Sequence, residues 1–242
     1  MTSTLKAAAV AAVAALSMAT HAFAAAPPDF TGVWTTAPGT SQRPDTPQLP
    51  PFQPEAAKRI STLQGLLAPR GETPGQFCLG YGMPGSVMGA GGYPMEIIQR
   101  PEQITVIYEL HGETRRIYFG ERNAAQKDRI PGRGGYSSGH WEGETLVVET
   151  DNLVEQLEPR YPHSDQTRIV ERYSLAGQDA QGRRLLQVEL TMTDPLFYTE
   201  PFKATRRWAQ VPNGRLLPYE CNEEAWQARL EELASKAGIR FP

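Results

Sequence analysis

The chain has 242 residues, of which 40% are hydrophobic and 21% charged, and it carries a formal net charge of −3. A slightly acidic chain lacks the concentrated positive field that a phosphate backbone requires, so nucleic acid is disfavoured as a partner. Its two cysteines form no CxxC pair, its histidines have no HExxH spacing, and no P-loop or strand-to-helix glycine fingerprint is present. These absences give no reason to expect a metal site or a nucleotide cofactor.

The first segment reads as an export signal. Lys6 supplies a positive start, residues 7–18 are nearly all Ala, Val and Leu, and Ala22-Phe23-Ala24 is a small-x-small cleavage site. The apolar run of about 12 residues is well short of the roughly 20 that span a bilayer as a helix. We therefore expect a signal peptide over residues 1–24 with cleavage near Ala24, and a periplasmic or extracellular mature chain. No later segment is long and apolar enough to suggest a membrane span. An oxidising compartment favours pairing of Cys78 with Cys221 as a structural staple; two free buried thiols are the alternative.

Residues 25–242 read as one predominantly β domain. Residues 30–36 form a first short strand, and residues 38–94 a Pro/Gly-rich insert. Within it Pro54 opens a helix on which Ile60, Leu63 and Leu67 share a face. Strands follow at 95–99, 102–110 and 114–120. A hairpin at 136–142 and 144–150 turns at Gly143, and another pairs 166–175 with 184–193. Leu186, Val188, Leu190 and Met192 alternate there with polar residues, the mark of a half-buried strand. A last pair is expected at 202–210 and 215–219, then an amphipathic helix over 222–237. About ten strands joined by short turns suit an antiparallel meander barrel, with a β-sandwich as the alternative.

Two resemblances accompany this reading. Gly32-Val33-Trp34 resembles the GxW signature of lipocalins and wider calycin barrels, in which the Trp closes one end of the barrel and an Arg of the last long strand packs over it. That resemblance implies a structural role for Trp34 and for Arg206 or Arg207. The segments SSGHWEGETLVVET, PHSDQTRIVERY, MTDPLFYTEPF and PYECNEE resemble a large group of uncharacterised secreted proteins of environmental bacteria. The second resemblance implies export and a barrel-like fold, and no activity.

The candidate chemistry rests on a few side chains. His163, Ser164 and Asp165 form a loop cluster before a strand, where His163 suits proton transfer and Asp165 either joins it or simply turns the backbone. His140 shares a strand face with Ser138 and Glu142, a face that points either into a cavity or to solvent. Glu171 alternates with Ile169 and Tyr173. Turning it outward would bury Arg168 and Arg172, so an inward Glu171 is expected, acting as an acid or base or paired with an arginine such as Arg116. Arg116 and Tyr118 share a face that would orient a carboxylate or phenolate, and Tyr173 and Tyr198 are further ligand contacts. These residues support binding of a small apolar or aromatic molecule in a cavity lined by residues such as Ile107, Tyr118, Val148 and Tyr173. The alternative is a cofactor-independent lyase, isomerase or hydrolase using His163, His140, Asp165 and Glu171.

Overall fold

The structure is a computed structural model that describes residues 26–37, 49–88, 92–158, 160–219 and 224–239. The expected signal peptide and Cys221, and with it the Cys78–Cys221 pairing, lie outside the described residues.

Nine strands close into a barrel in chain order: β1 (Gly32–Thr36), β2 (Met95–Arg100), β3 (Gln103–Tyr108), β4 (Thr114–Tyr118), β5 (Tyr136–Glu142), β6 (Thr145–Asp151), β7 (Arg168–Gln178), β8 (Arg184–Thr193) and β9 (Phe202–Val211). Closure excludes the sandwich. It also corrects the last expected pair. Residues 215–219 form no strand, because the free edge of β9 is taken by β1 in the register Val33–Val211 to Thr36–Trp208. Leu217 is instead 58% exposed.

Every neighbouring pair is antiparallel except β4 and β5, which run parallel through Ile117–Ser137 and Tyr118–Ser138 alone. The chain must return to the same barrel end to make such a pair. Residues 119–135 do so through two 3-10 turns, Gly120–Arg122 and Gln126–Asp128. Gly139 permits the close approach at this seam, since a Cβ there would stand 2.8 Å from the Ile117 side chain.

Period-two alternation fills the interior. Leu186, Val188, Leu190 and Met192 of β8 are all buried, as are Ile104, Val106 and Tyr108 of β3. Ile107 therefore faces outward and is only half-buried, and so is Tyr118, whereas Val148 and Tyr173 point in. The expected lining set is thus split between the two faces of the sheet.

Helix α1 (Pro54–Leu67) starts with Pro54 in its first turn and buries Ala56, Ile60, Leu63 and Leu67 on one face. A short helix α2 (Gly85–Met88) stands inside the glycine-rich run. Helix α3 (Glu224–Ala237) meets α1 in a second apolar cluster of Leu63, Leu67, Leu79, Trp226 and Leu233, separate from the barrel core. Ile60 belongs to the barrel core instead, so α1 joins the two. Among the described residues no helix is long and apolar enough to cross a membrane.

Candidate ligand-binding site

A cleft of about 640 Å³ opens between α1, the turn around residues 72–75 and residues 156, 158 and 160–162. Its apolar wall includes Leu49, Phe52, Ile60, Leu67, Tyr161 and Pro162. Charged groups at its rim are fixed by partners. Arg133 donates to the Gly80 carbonyl at 3.1 Å and to Glu158 at 3.1 Å, Arg229 of α3 grips Glu72 at 3.0 and 2.8 Å, and the Arg160 guanidinium lies 4.6 Å from the Tyr81 ring centre. Arg59 of α1 pairs with Glu155. None of these cleft residues except Ile60 and Leu67 stands out in the sequence, because the cleft joins segments a hundred residues apart.

Hydrogen bonds tie down Gln156, Pro162 and His163 behind the cleft. Gln156 and His163 exchange backbone hydrogen bonds of 2.9 and 2.8 Å, and the Tyr198 hydroxyl donates to the Pro162 carbonyl at 2.6 Å. The carboxylate that organises the turn is Asp194. It accepts from the Ser164 amide and hydroxyl, the Thr167 hydroxyl, and the Leu196 and Phe197 amides, at 2.6 to 3.0 Å. Asp165, by contrast, is exposed and does not join His163. His163 itself is fully buried. Its Nδ1–H donates to the Tyr161 carbonyl at 2.8 Å, so in the neutral ring Nε2 keeps a lone pair, and that atom has no partner among the described residues. Burial holds the ring's pKa below the ordinary histidine range. His163 thus stands behind Tyr161 and Pro162 rather than in the cleft surface.

Inside the barrel Glu171 points inward, fully buried, with Arg168 and Arg172 outside. Its arginine partner is Arg115, not Arg116. Alternation on β4 places Arg115 with Ile117 on the apolar face, and leaves Arg116 in solvent. Every arm of the Arg115 guanidinium is used. It donates to Ser137 at 2.9 Å, to Thr150 at 2.7 Å, to Glu171 Oε1 at 3.0 Å and to the other Glu171 oxygen in a short contact. The Tyr173 hydroxyl donates to Glu171 at 2.7 Å. Burial opposes the charge on Arg115, but the neighbouring Glu171 more than offsets it, and the net shift of its pKa is upward. These groups saturate one another, which leaves Glu171 no free oxygen for acid–base work.

Two other expected groups face outward. His140 pairs with Glu142 at 3.3 Å with over half its side chain exposed, and Tyr118 stacks on Tyr136 with ring centres 5.3 Å apart. The Arg116–Tyr118 surface therefore lies outside the barrel, away from the cleft. Trp34 is fully buried, and its Nε1–H donates to the Phe30 carbonyl at 2.9 Å. The guanidinium over its ring is that of Arg184, at 5.8 Å, while Arg206 lies over Trp208 at 5.7 Å. The expected Arg206–Trp34 packing is thus replaced by two separate cation–π contacts.

Fold and site together define a closed nine-strand barrel with helices packed against it and a largely apolar cleft lined by α1 and by segments between the strands. Compared with known protein families the chain matches none, and no curated protein matches it either.

Proposed function

We propose that this chain is an exported barrel protein that binds a small apolar or aromatic molecule in the cleft beside α1. The observation that carries the reading is the cleft's size and lining: about 640 Å³, walled by Leu49, Phe52, Ile60 and Tyr161 with a few fixed polar groups. Small-molecule sites have this character, a concave apolar surface of several hundred Å³ with sparse polar groups for orientation. Export rests on the N-terminal apolar run and the Ala22-Phe23-Ala24 site.

The test begins with protein purified from the periplasmic fraction without added ligand. N-terminal sequencing is expected to start at Ala25. Native mass spectrometry and solvent extraction are expected to release a bound small molecule, or a library of apolar and aromatic compounds to raise the melting temperature. At a hundredfold excess over Kd, binding adds about 2.7 kcal/mol of stability. Ile60→Trp, which fills the cleft, is expected to abolish the effect. No bound molecule and no shift with any compound would sink the reading.

Acid–base catalysis as a lyase, isomerase or hydrolase has one feature in its favour: the buried, unpartnered Nε2 of His163, in the tautomer a general base uses. Under that reading His163→Gln abolishes turnover of an identified substrate and leaves the fold intact. Unchanged turnover removes His163 from the chemistry.

A further inference from the structure

Residues 80–86 run from a turn into α2 and give the cleft two of its wall residues, Tyr81 and Gly85. The segment is buried except at Tyr81. Tyr81 packs on Gly85 so closely that a Cβ there would fall 2.6 Å from its own, which ties the two wall residues together. The segment is held from two sides. On one, the Arg133 carbonyl accepts from the Met83 amide at 2.9 Å, and the Arg133 side chain donates to the Gly80 carbonyl at 3.1 Å. On the other stands Glu113, the residue before β4. A Cβ on Gly80 would lie 2.3 Å from its carboxyl carbon, so the acid sits directly against the chain. Its Oε1 accepts from the Gly82 amide at 2.8 Å, and its Oε2 lies 2.6 Å from the Ser86 hydroxyl.

That hydroxyl has two oxygen neighbours and a single proton. The second neighbour is the Gly82 carbonyl, at 2.8 Å, which can only accept. With the serine proton given to Gly82, the contact with Oε2 needs a proton that a carboxylic acid has and a carboxylate lacks. In the acid form each contact is matched: Oε2–H donates to Ser86, Ser86 donates to the Gly82 carbonyl, and Oε1 accepts the Gly82 N–H. The cation whose field reaches Glu113 is Arg133, and its guanidinium is paired with Glu158 at 3.1 Å. From β3 the Tyr108 hydroxyl feels the Glu113 charge, and from the turn before it the His111 ring packs edge-on against Tyr81, 5.7 Å between centres. Arg160 lies over the same Tyr81 ring. Burial raises the pKa of Glu113 above the ordinary carboxyl value, against the hydrogen bonds and Arg133, which lower it.

We propose that Glu113 holds residues 80–86 as a neutral carboxylic acid, and that its ionisation loosens this wall and weakens binding in the cleft. The inference rests on the cleft reading and gives that site a pH control. Ionisation removes the donor, turns the Ser86 proton toward Oε2, and places a charge against Gly80 where the neighbouring Arg133 is already paired. A charge in such a place is relieved by water, and water reaches it once the segment moves off the carboxyl. Tyr81 and Gly85 move with the segment. Binding that needs the packed wall therefore takes up a proton at higher pH, and affinity falls as the pH rises through the Glu113 pKa.

Two measurements on the full mature protein test this. The first is a carbon NMR titration of the Glu113 side-chain carboxyl, with a midpoint expected above the ordinary 4.5. A midpoint at or below 4.5 overturns the neutral acid and leaves the cleft reading standing. The second is the affinity for Nile red, an uncharged aromatic dye, between about pH 5 and about pH 8. It is expected to fall at least ~3-fold as the pH rises, the factor that half a pKa unit represents. Glu113→Gln keeps the shape, its amide donating to Ser86 and accepting from Gly82, and is expected to hold the acid-side affinity throughout. An affinity of the native protein that is flat with pH overturns the gate. A fall that persists in Glu113→Gln belongs to another group, such as His111, and overturns the role of Glu113. Ile60→Trp is expected to remove binding at every pH; dye that still binds lies outside the cleft and overturns the link between Glu113 and that site. No binding by the native protein overturns the cleft reading and the gate together, while the carbon midpoint still decides the state of the acid. Should Glu113→Gln fail to fold by circular dichroism, the dye and carbon midpoints of the native protein are expected to coincide, and separate midpoints overturn the assignment.

Discussion

Two arginines point into the same barrel, Arg115 from β4 and Arg206 from β9, and the protein treats them differently. Arg115 is enclosed by Glu171, Ser137, Thr150 and Tyr173, acceptors drawn from three further strands. Arg206 has one hydroxyl and one indole face. A guanidinium that carries its own counter-ion has no further use for an external anion and serves to fix strands against one another. A guanidinium buried without one is a cost the fold bears unless something else supplies the charge. Arg115 is structural by its contacts, whereas Arg206 is held with no carboxylate partner among the described residues.

The contrast can be broken most directly at Arg115. Arg115→Met leaves the Glu171 carboxylate buried without a counter-ion, held by the Tyr173 hydroxyl, and is expected to cost about 3–5 kcal/mol in urea denaturation. Adding Glu171→Leu is expected to recover most of that loss, because an apolar pair of similar volume often matches a buried ion pair. A single-variant cost under ~1 kcal/mol would show the pair to be dispensable. In the ligand-free protein Arg206→Met is expected to stay within about 1 kcal/mol of native stability or to exceed it, since it strands only a hydroxyl. A loss as large as that of Arg115→Met would make Arg206 structural too.

A smaller effect is expected at His163. Its folded-state pKa is held below the ordinary 6.5 by burial, so under mild acid the unfolded chain takes a proton that the folded ring refuses. Stability from this source is complete above pH 6.5 and declines as the pH falls from there toward the folded-state value. Denaturation midpoints from pH 8 to about 5 are expected to fall less steeply in His163→Gln than in the native protein; parallel profiles would remove His163 as a source. The smallest effect belongs to His140→Ala. Its contact with Glu142 is solvent-exposed, and neither melting temperature nor ligand affinity is expected to change.

Much of this was legible in period-two patterns. Arg168, Glu171 and Arg172 settle the orientation of β7, because the alternative buries two arginines for one valine. The same logic stops short at Thr114-Arg115-Arg116-Ile117, where strand alternation forces one arginine inward whichever face is chosen. Ile117 was the available signal, since the arginine two residues from it shares its face. The loop histidine's burial was not legible, nor that Asp194, thirty residues on, would hold the turn for which Asp165 was one candidate. That Arg206 meets no carboxylate among the described residues is still further from view, since it depends on several strands at once and no local segment encodes it. The extra strand expected at 215–219 failed for a related reason, since closure by β1 is a contact between opposite ends of the chain.

The parallel seam between β4 and β5 has a consequence for how the barrel is assembled. Each strand from β5 to β9 pairs with its neighbour in sequence, as does each from β1 to β4. The runs β2–β4 and β5–β9 can thus zip up from contacts near in sequence, which close fastest, while β1 joins β2 across the long insert of residues 37–94. Joining them requires the two-residue seam on one side and the β1–β9 pairing on the other. We expect the seam to be the line along which the barrel breathes, with the amides around Ile117 and Ser137 exchanging with solvent sooner than those of β7 and β8. Arg115 crosses that line to Ser137, Thr150 and Glu171. In kinetic terms it is a latch, fastened late, whose release sets how often the inner face opens; slow, uniform exchange along both edges would show that no such latch is needed.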